Sequence, residues 1–139
     1  MTFSNPTPAQ IAAGLIGVLL VVGGILGLTE NNSFDTGAVI NGDKLTIFEV
    51  NGWNSLLCLV GGAIALLVAG FPGAAKWYTL VLGVIFLVAA VWGILDRDAI
   101  ANLLPVNKWN ILLDLVIGTV LVDASLLSGP GKRYRLASR

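Results

Sequence analysis

Three stretches of this chain run for the thickness of a membrane without a charge. Ala9 to Thr29 covers 21 residues, Asn54 to Ala75 covers 22 and Trp77 to Leu95 covers 19. A fourth, Asn110 to Leu127, is apolar apart from Asp114, Asp123 and a few hydroxyls. A helix rises about 1.5 Å per residue, so roughly 20 residues cross a hydrocarbon core of about 30 Å. None of these runs alternates apolar and polar residues, as the strands of a lipid-embedded barrel must. The expectation is an all-α membrane protein with four transmembrane helices, at about residues 9–29, 54–71, 77–95 and 109–127 of a single integral membrane domain. The chain is 56% hydrophobic and 12% charged, with mean hydropathy +0.88. That is about half the charge of a soluble domain, as expected where lipid is the solvent. The first run has no basic start and is long for a cleaved leader, so it is expected to stay as an anchor.

Several function classes are disfavoured by what the chain lacks. The net charge is zero, so no basic field attracts nucleic acid. There is no histidine, which removes the commonest metal ligand and general base. The single cysteine, Cys58, allows no intrachain disulfide and reads as a small buried hydrophobe. No nucleophile–base pair, phosphate loop or metal-ligand spacing is present. No enzyme activity, metal or cofactor is expected.

Charge at the ends of the runs suggests an orientation. The tail at 128–139 carries Lys132, Arg133, Arg135 and Arg139, and the loop after the second run carries Lys76. The other two loops hold six acidic residues against Lys44, Arg97 and Lys108. Lysine and arginine are retained in the cytoplasm. Both termini should therefore be cytoplasmic in a bacterial inner (plasma or internal) membrane, with a basic cytoplasmic tail and the two acidic loops outside. The first outer loop contains "AVINGDKLTIFEV", in which Asn41-Gly42 lies between β-branched residues. A small β-hairpin turning at Asn41-Gly42 is expected there, with a disordered tether as the alternative. The second, "DRDAIANLLP", is expected to form a short interfacial helix ending before Pro105.

The chain also says one thing twice. "VNGWNSLLCLVGG", from Val50 to Gly62, returns 56 residues later as "VNKWNILLDLVIG", from Val106 to Gly118, with nine of thirteen positions identical. Asn51 and Asn107 are suited to cap a helix start. Trp53 and Trp109 fall at the depth of an interfacial aromatic belt. Gly62 and Gly118 fall near mid-membrane, where a missing side chain lets helices approach, and Gly23 and Gly27 have the spacing of a small-xxx-small packing face. The other two runs echo each other faintly through Gly17/Gly83, Val18/Val84, Val22/Val88 and Gly27/Gly93. The chain reads as two tandem helical hairpins of the same orientation, related by an axis along the membrane normal.

"FEVNGWNSLLCLVGG" and "LLPVNKWNILLDLVIG", in that order and separated by a further run, resemble the bacterial four-helix membrane family catalogued as domain of unknown function 4383. The resemblance extends from about Ile11 to Leu127. It implies a fold and a compartment, and no activity. It further implies histidine at the positions of Asn54, Cys58 and Asp114, where this chain has none.

The polar residues inside the runs are the candidate sites. Asn54 and Cys58 are four apart, as are Asn110 and Asp114, so each pair lies on one helical face. Turned towards the bundle axis, the four would line a small polar pocket or hydrogen-bond the helices together. Asp123 lies deep in its run. An aspartate at the centre of a span costs about 2.5–3.5 kcal/mol, so Asp123 should face the interior, a water-filled cavity, a partner chain or a cation such as Lys76. The leading expectation is a non-catalytic accessory or scaffolding subunit. It would sit in the lipid bilayer and pack on other membrane subunits, respiratory or photosynthetic ones included, or on its own copies. A small transporter or channel using intramembrane aspartate is the second reading. A pigment- or lipid-binding module walled by Trp53, Trp92 and Trp109 is the third.

Overall fold

The structure, a computed structural model, describes residues 5–37, 42–96, 99–100 and 102–129. Four helices dominate it: α1 (Pro8–Glu30), α2 (Gly52–Val68), α3 (Pro72–Leu95) and α4 (Lys108–Leu127). α1, α3 and α4 are long and apolar enough to cross a membrane. α2, at 17 residues, is apolar but shorter. It begins at Gly52 and ends at Val68, inside the expected limit of residue 71. α3 begins five residues earlier than expected, because Pro72 stands at its first position with φ already set for a helix.

Local chemistry explains the helix starts. Thr7 caps α1 in a reciprocal box: the Gln10 amide N–H donates to Thr7 Oγ1 at 3.3 Å, and the Thr7 N–H donates to Gln10 Oε1 at 3.0 Å. Asn51 and Asn107 cap α2 and α4.

Each connection at one end of the bundle is a two-stranded antiparallel hairpin. Between α1 and α2, β1 (Asp43–Leu45) pairs with β2 (Phe48–Val50), with Leu45 opposite Phe48. The turn is therefore Thr46-Ile47, not Asn41-Gly42. Asn41 lies outside the described residues. Gly42 is pressed against the second hairpin instead, where a Cβ would come within 2.7 Å of Pro105. Between α3 and α4, β3 (Ala99–Ile100) pairs with β4 (Leu104–Pro105), where an interfacial helix was expected. Tertiary contact decides this: β4 lies against β2, and Ile100, Pro105 and Val106 are buried beneath the hairpins. Residues 97, 98, 101 and 130–139, and with them most of the basic tail, lie outside the described residues.

α1 packs chiefly on α2 and α3 on α4, while α2 and α3 meet only loosely. Glycine makes the two close crossings. A Cβ on Gly62 would lie 2.7 Å from the Gly17 carbonyl oxygen, and one on Gly118 would lie 2.9 Å from that of Gly83. On α1 the packing stripe continues through Gly24 and Gly27, which face Ser55 on α2. Gly23, expected in this stripe, has open space where a Cβ would go and takes no part in it. The central core is small: Leu20, Ile117 and Leu121 with Ala12 and Ala124, flanked by Leu82, Phe86 and Leu113.

At the end opposite the hairpins, single hydrogen bonds join all four helices. The Ala9 N–H of α1 donates to Ser128 Oγ just past α4 at 2.8 Å. Ser125 Oγ donates to the Lys76 carbonyl of α3 at 2.8 Å, and Gln10 Nε2 donates to the Ala69 carbonyl at the end of α2 at 2.8 Å. The bonds at Ala9 and Ala69 satisfy backbone groups that helix termini leave unpaired.

The burial pattern is the reverse of a soluble bundle. α1 buries Ala9, Ala12, Ala13, Gly17, Gly24 and Gly27, while Leu15 is 68% exposed and Val18, Leu19, Val22 and Ile25 point outward beside it. Leu20 apart, small residues of α1 face the neighbours and most of its large apolar ones face outward, the arrangement that lipid favours.

Candidate functional site

The repeated asparagines do more than cap. Asn51, 2% exposed, accepts from the Asn54 N–H at 2.9 Å through Oδ1 and donates through Nδ2 to the Leu103 carbonyl at 2.6 Å. Asn107 accepts from the Trp109 and Asn110 N–H groups and donates through Nδ2 to the Ile47 carbonyl at 2.9 Å. Ile47 and Leu103 lie in the two hairpin turns and are 56 residues apart, as the two asparagines are. Each cap thus starts its own helix and holds the other half's hairpin. The same register recurs in the backbone: Thr46 and Asn102, again 56 apart, have φ of +59° and +54°.

One step of this pattern breaks. Asn110 pairs at two points with the backbone of Glu49, accepting from its N–H at 3.0 Å and donating to its carbonyl at 3.0 Å. The equivalent partner for Asn54 is residue 105, which is proline and has no N–H. No described group hydrogen-bonds the Asn54 side chain, and its amide borders a cavity.

That cavity, about 320 Å³, lies between α2 and α3 where the two helices meet loosely. Leu104, Pro105 and Val106 border it at the hairpin end. The Tyr78 hydroxyl, which donates to the Gly61 carbonyl at 2.6 Å, ties α3 to α2 towards its other end. Leu57, Val60, Val81, Leu82, Ile85 and Phe86 form apolar walls. The four polar residues singled out in the sequence, Asn54, Cys58, Asn110 and Asp114, all line it. Asp114 has no hydrogen-bond partner among the described residues. The cavity therefore has a polar region near the hairpins and an apolar body.

The other candidates lie elsewhere. Asp123 is exposed, so of the settings expected for it the protein interior does not hold. Ser125, not Asp123, is the α4 residue that reaches Lys76. The Trp53 indole N–H donates to the Phe34 carbonyl at 2.9 Å, and its ring stands edge-on to Phe34 with centroids 5.2 Å apart. Trp109 is 40% exposed beneath the Lys108 ammonium, 5.3 Å from the ring centroid. Both tryptophans stand at the hairpin end. Trp92 lies apart, on the outer face of α3.

Two contributors to the site escaped the sequence reading. Tyr78 had a usable signal, since a phenol in an apolar run must find an acceptor. Pro105 had one too: it stands 56 residues after Glu49, the same spacing that separates Asn54 from Asn110.

Comparison with curated proteins finds no match, and comparison with solved structures finds none. A family model does match, over residues 10–127, which takes in all four helices and both hairpins except the first two residues of α1. On that match the chain belongs to the family described as Domain of unknown function (DUF4383).

Proposed function

We propose that this protein is a non-catalytic integral membrane subunit that docks through the outer face of α4 onto a transmembrane helix of a larger complex. The observation that carries the reading is the setting of Asp123. It is exposed on α4, flanked at helical spacing by exposed Val116, Val120, Leu126 and Leu127. It stands four residues from the end of α4, about 6 Å along the axis. A carboxylate among lipid-facing residues is costly, and such residues are generally found paired. The partner this face suits carries a lysine, arginine or amide donor at matching depth. An accessory role fits a bundle with large apolar residues around its outside.

In this reading α2 also spans, as the fourth transmembrane helix. Its 17 residues reach about 26 Å, and local thinning of the bilayer covers the shortfall. The two helix–hairpin–helix halves are tandem repeats that arose by duplication, supported by the 56-residue register of the caps, turns and positive-φ residues. The excess of lysine and arginine in the tail and at Lys76 argues for cytoplasmic termini and outward-facing hairpins in a bacterial inner membrane.

Purification from the native membrane in a mild detergent tests the role. A stoichiometric partner is expected with the parent chain and is lost with Asp123→Leu. Recovery of the parent only as a free monomer overturns the proposal.

A further inference from the structure

The cavity between α2 and α3 is separate from the α4 face on which the docking proposal rests. We infer that it is a binding site for a neutral, hydroxyl-bearing amphiphile with a single hydrocarbon body, such as a long-chain alcohol or a monoacylglycerol.

Three observations converge. First, the walls divide by polarity. They present the Asn54 amide near the hairpins and the Asp114 carboxyl about one turn deeper, neither of them hydrogen-bonded by a described residue. The remainder is a sleeve of aliphatic and aromatic side chains. Second, the lack of a partner at Asn54 is built in: Asn110 pairs at two points with the Glu49 backbone, whereas Pro105 has no N–H to offer Asn54. Third, about 320 Å³ is at the small end of ligand cavities, which run from roughly 300 to 1,000 Å³. One chain fits and a two-chain phospholipid does not.

The head group follows from the donors and acceptors. A hydroxyl both donates and accepts, so a hydroxyl-bearing head suits the Asp114 carboxyl and the Asn54 amide alike. An anionic head offers only acceptors and meets no lysine or arginine among the lining residues. A bare hydrocarbon fills the sleeve but gives the half-buried Asn54 and Asp114 side chains no partner.

The test uses the full chain in phosphatidylcholine nanodiscs. Three photoactivatable probes share one hydrocarbon chain with a mid-chain diazirine and end in a primary alcohol, a carboxylate or a methyl group. The alcohol is expected to label α2 and α3 residues of the cavity, Val60 and Val81 among them, about tenfold more than either other probe. Asn54→Ala and Asp114→Asn should each reduce that preference, and Ile85→Trp, which fills the cavity, should abolish the labelling. Val81→Phe serves the same purpose where Ile85→Trp does not yield folded protein. Equal labelling by the three probes, labelling spread over the outer faces of α1 and α3, or labelling indifferent to the filling variants overturns the inference. Partner capture through Asp123 is read separately, so either proposal fails without the other.

Discussion

A single asparagine carries most of the order at the start of α2. Asn51 is buried, caps its helix and holds the Leu103 carbonyl of the opposite hairpin. Losing a cap costs about 1 kcal/mol, and stranding the half-buried Leu103 carbonyl adds up to roughly 1–3 kcal/mol. Asn51→Ala is therefore expected to destabilise the protein by about 2–4 kcal/mol in a detergent unfolding titration. Asn54→Ala, which breaks no bond to a described group, should change stability by less than about 1 kcal/mol. A drop as large for Asn54→Ala as for Asn51→Ala would contradict this account. Thr46 offers the converse case. It is β-branched and holds φ at +59°, while its counterpart Asn102 holds +54° with a residue type that tolerates that region. Thr46→Asn should stabilise by about 0.5–1 kcal/mol, a part of the strain such a residue stores. The caps at Asn51 and Asn107 were legible because capping chemistry is local. Their second bonds, each to a turn in the other half, were not, because no local pattern specifies what lies opposite a side-chain amide N–H.

Among the elements, the helix crossings were half legible. Gly62 and Gly118 stand where α2 meets α1 and α4 meets α3, at backbone-contact distance. A side chain at either position must push two helices apart, and overpacking of this kind costs about 1–3 kcal/mol or more. Gly118→Leu should lower the unfolding midpoint sharply and Gly62→Leu likewise. Gly23→Leu should be close to neutral, because nothing lies within 4 Å of its Cβ direction. Spacing alone favoured Gly23 with Gly27. In a glycine-rich helix several stripes share that spacing, and only the neighbour's position selects one. The hairpins teach the same lesson. Asn41-Gly42 has favourable turn chemistry, yet the chain turns at Thr46-Ile47. Gly42 is needed instead for its close approach to Pro105. Pro105 also sets the asymmetry of the site. Pro105→Glu restores an N–H opposite Asn54, and is expected to suppress labelling by the alcohol probe while leaving the helices intact by circular dichroism.

For the molecule as a whole, the inverted burial pattern and the exposed carboxylate set what it can do. Large apolar residues cover the outside, so the bundle requires lipid or protein around it. Asp123 interrupts that surface, and Asp123→Leu separates two effects. The isolated bundle should melt at the same temperature or higher, since a lipid-exposed charge is removed. On the proposed docking, partner capture should weaken by at least about tenfold, since the carboxylate would lose its pairing at the interface. A lower melting temperature with unchanged partner capture would place Asp123 in the bundle's own stability instead.

The sequence by itself determined the class of structure. Apolar runs of membrane length, a duplicated helix start and too little charge for water leave few alternatives, because hydropathy and capping are properties of short stretches. It also placed Asn54, Cys58, Asn110 and Asp114 on two helical faces, since a four-residue spacing is fixed by helix geometry. Only the tertiary structure decided that these faces border a cavity between α2 and α3, that Pro105 leaves Asn54 open to it, and that Asp123 points outward. Those outcomes depend on which helix lies beside which, and on the rotation of each about its axis. Both are set by contacts between residues far apart in the chain.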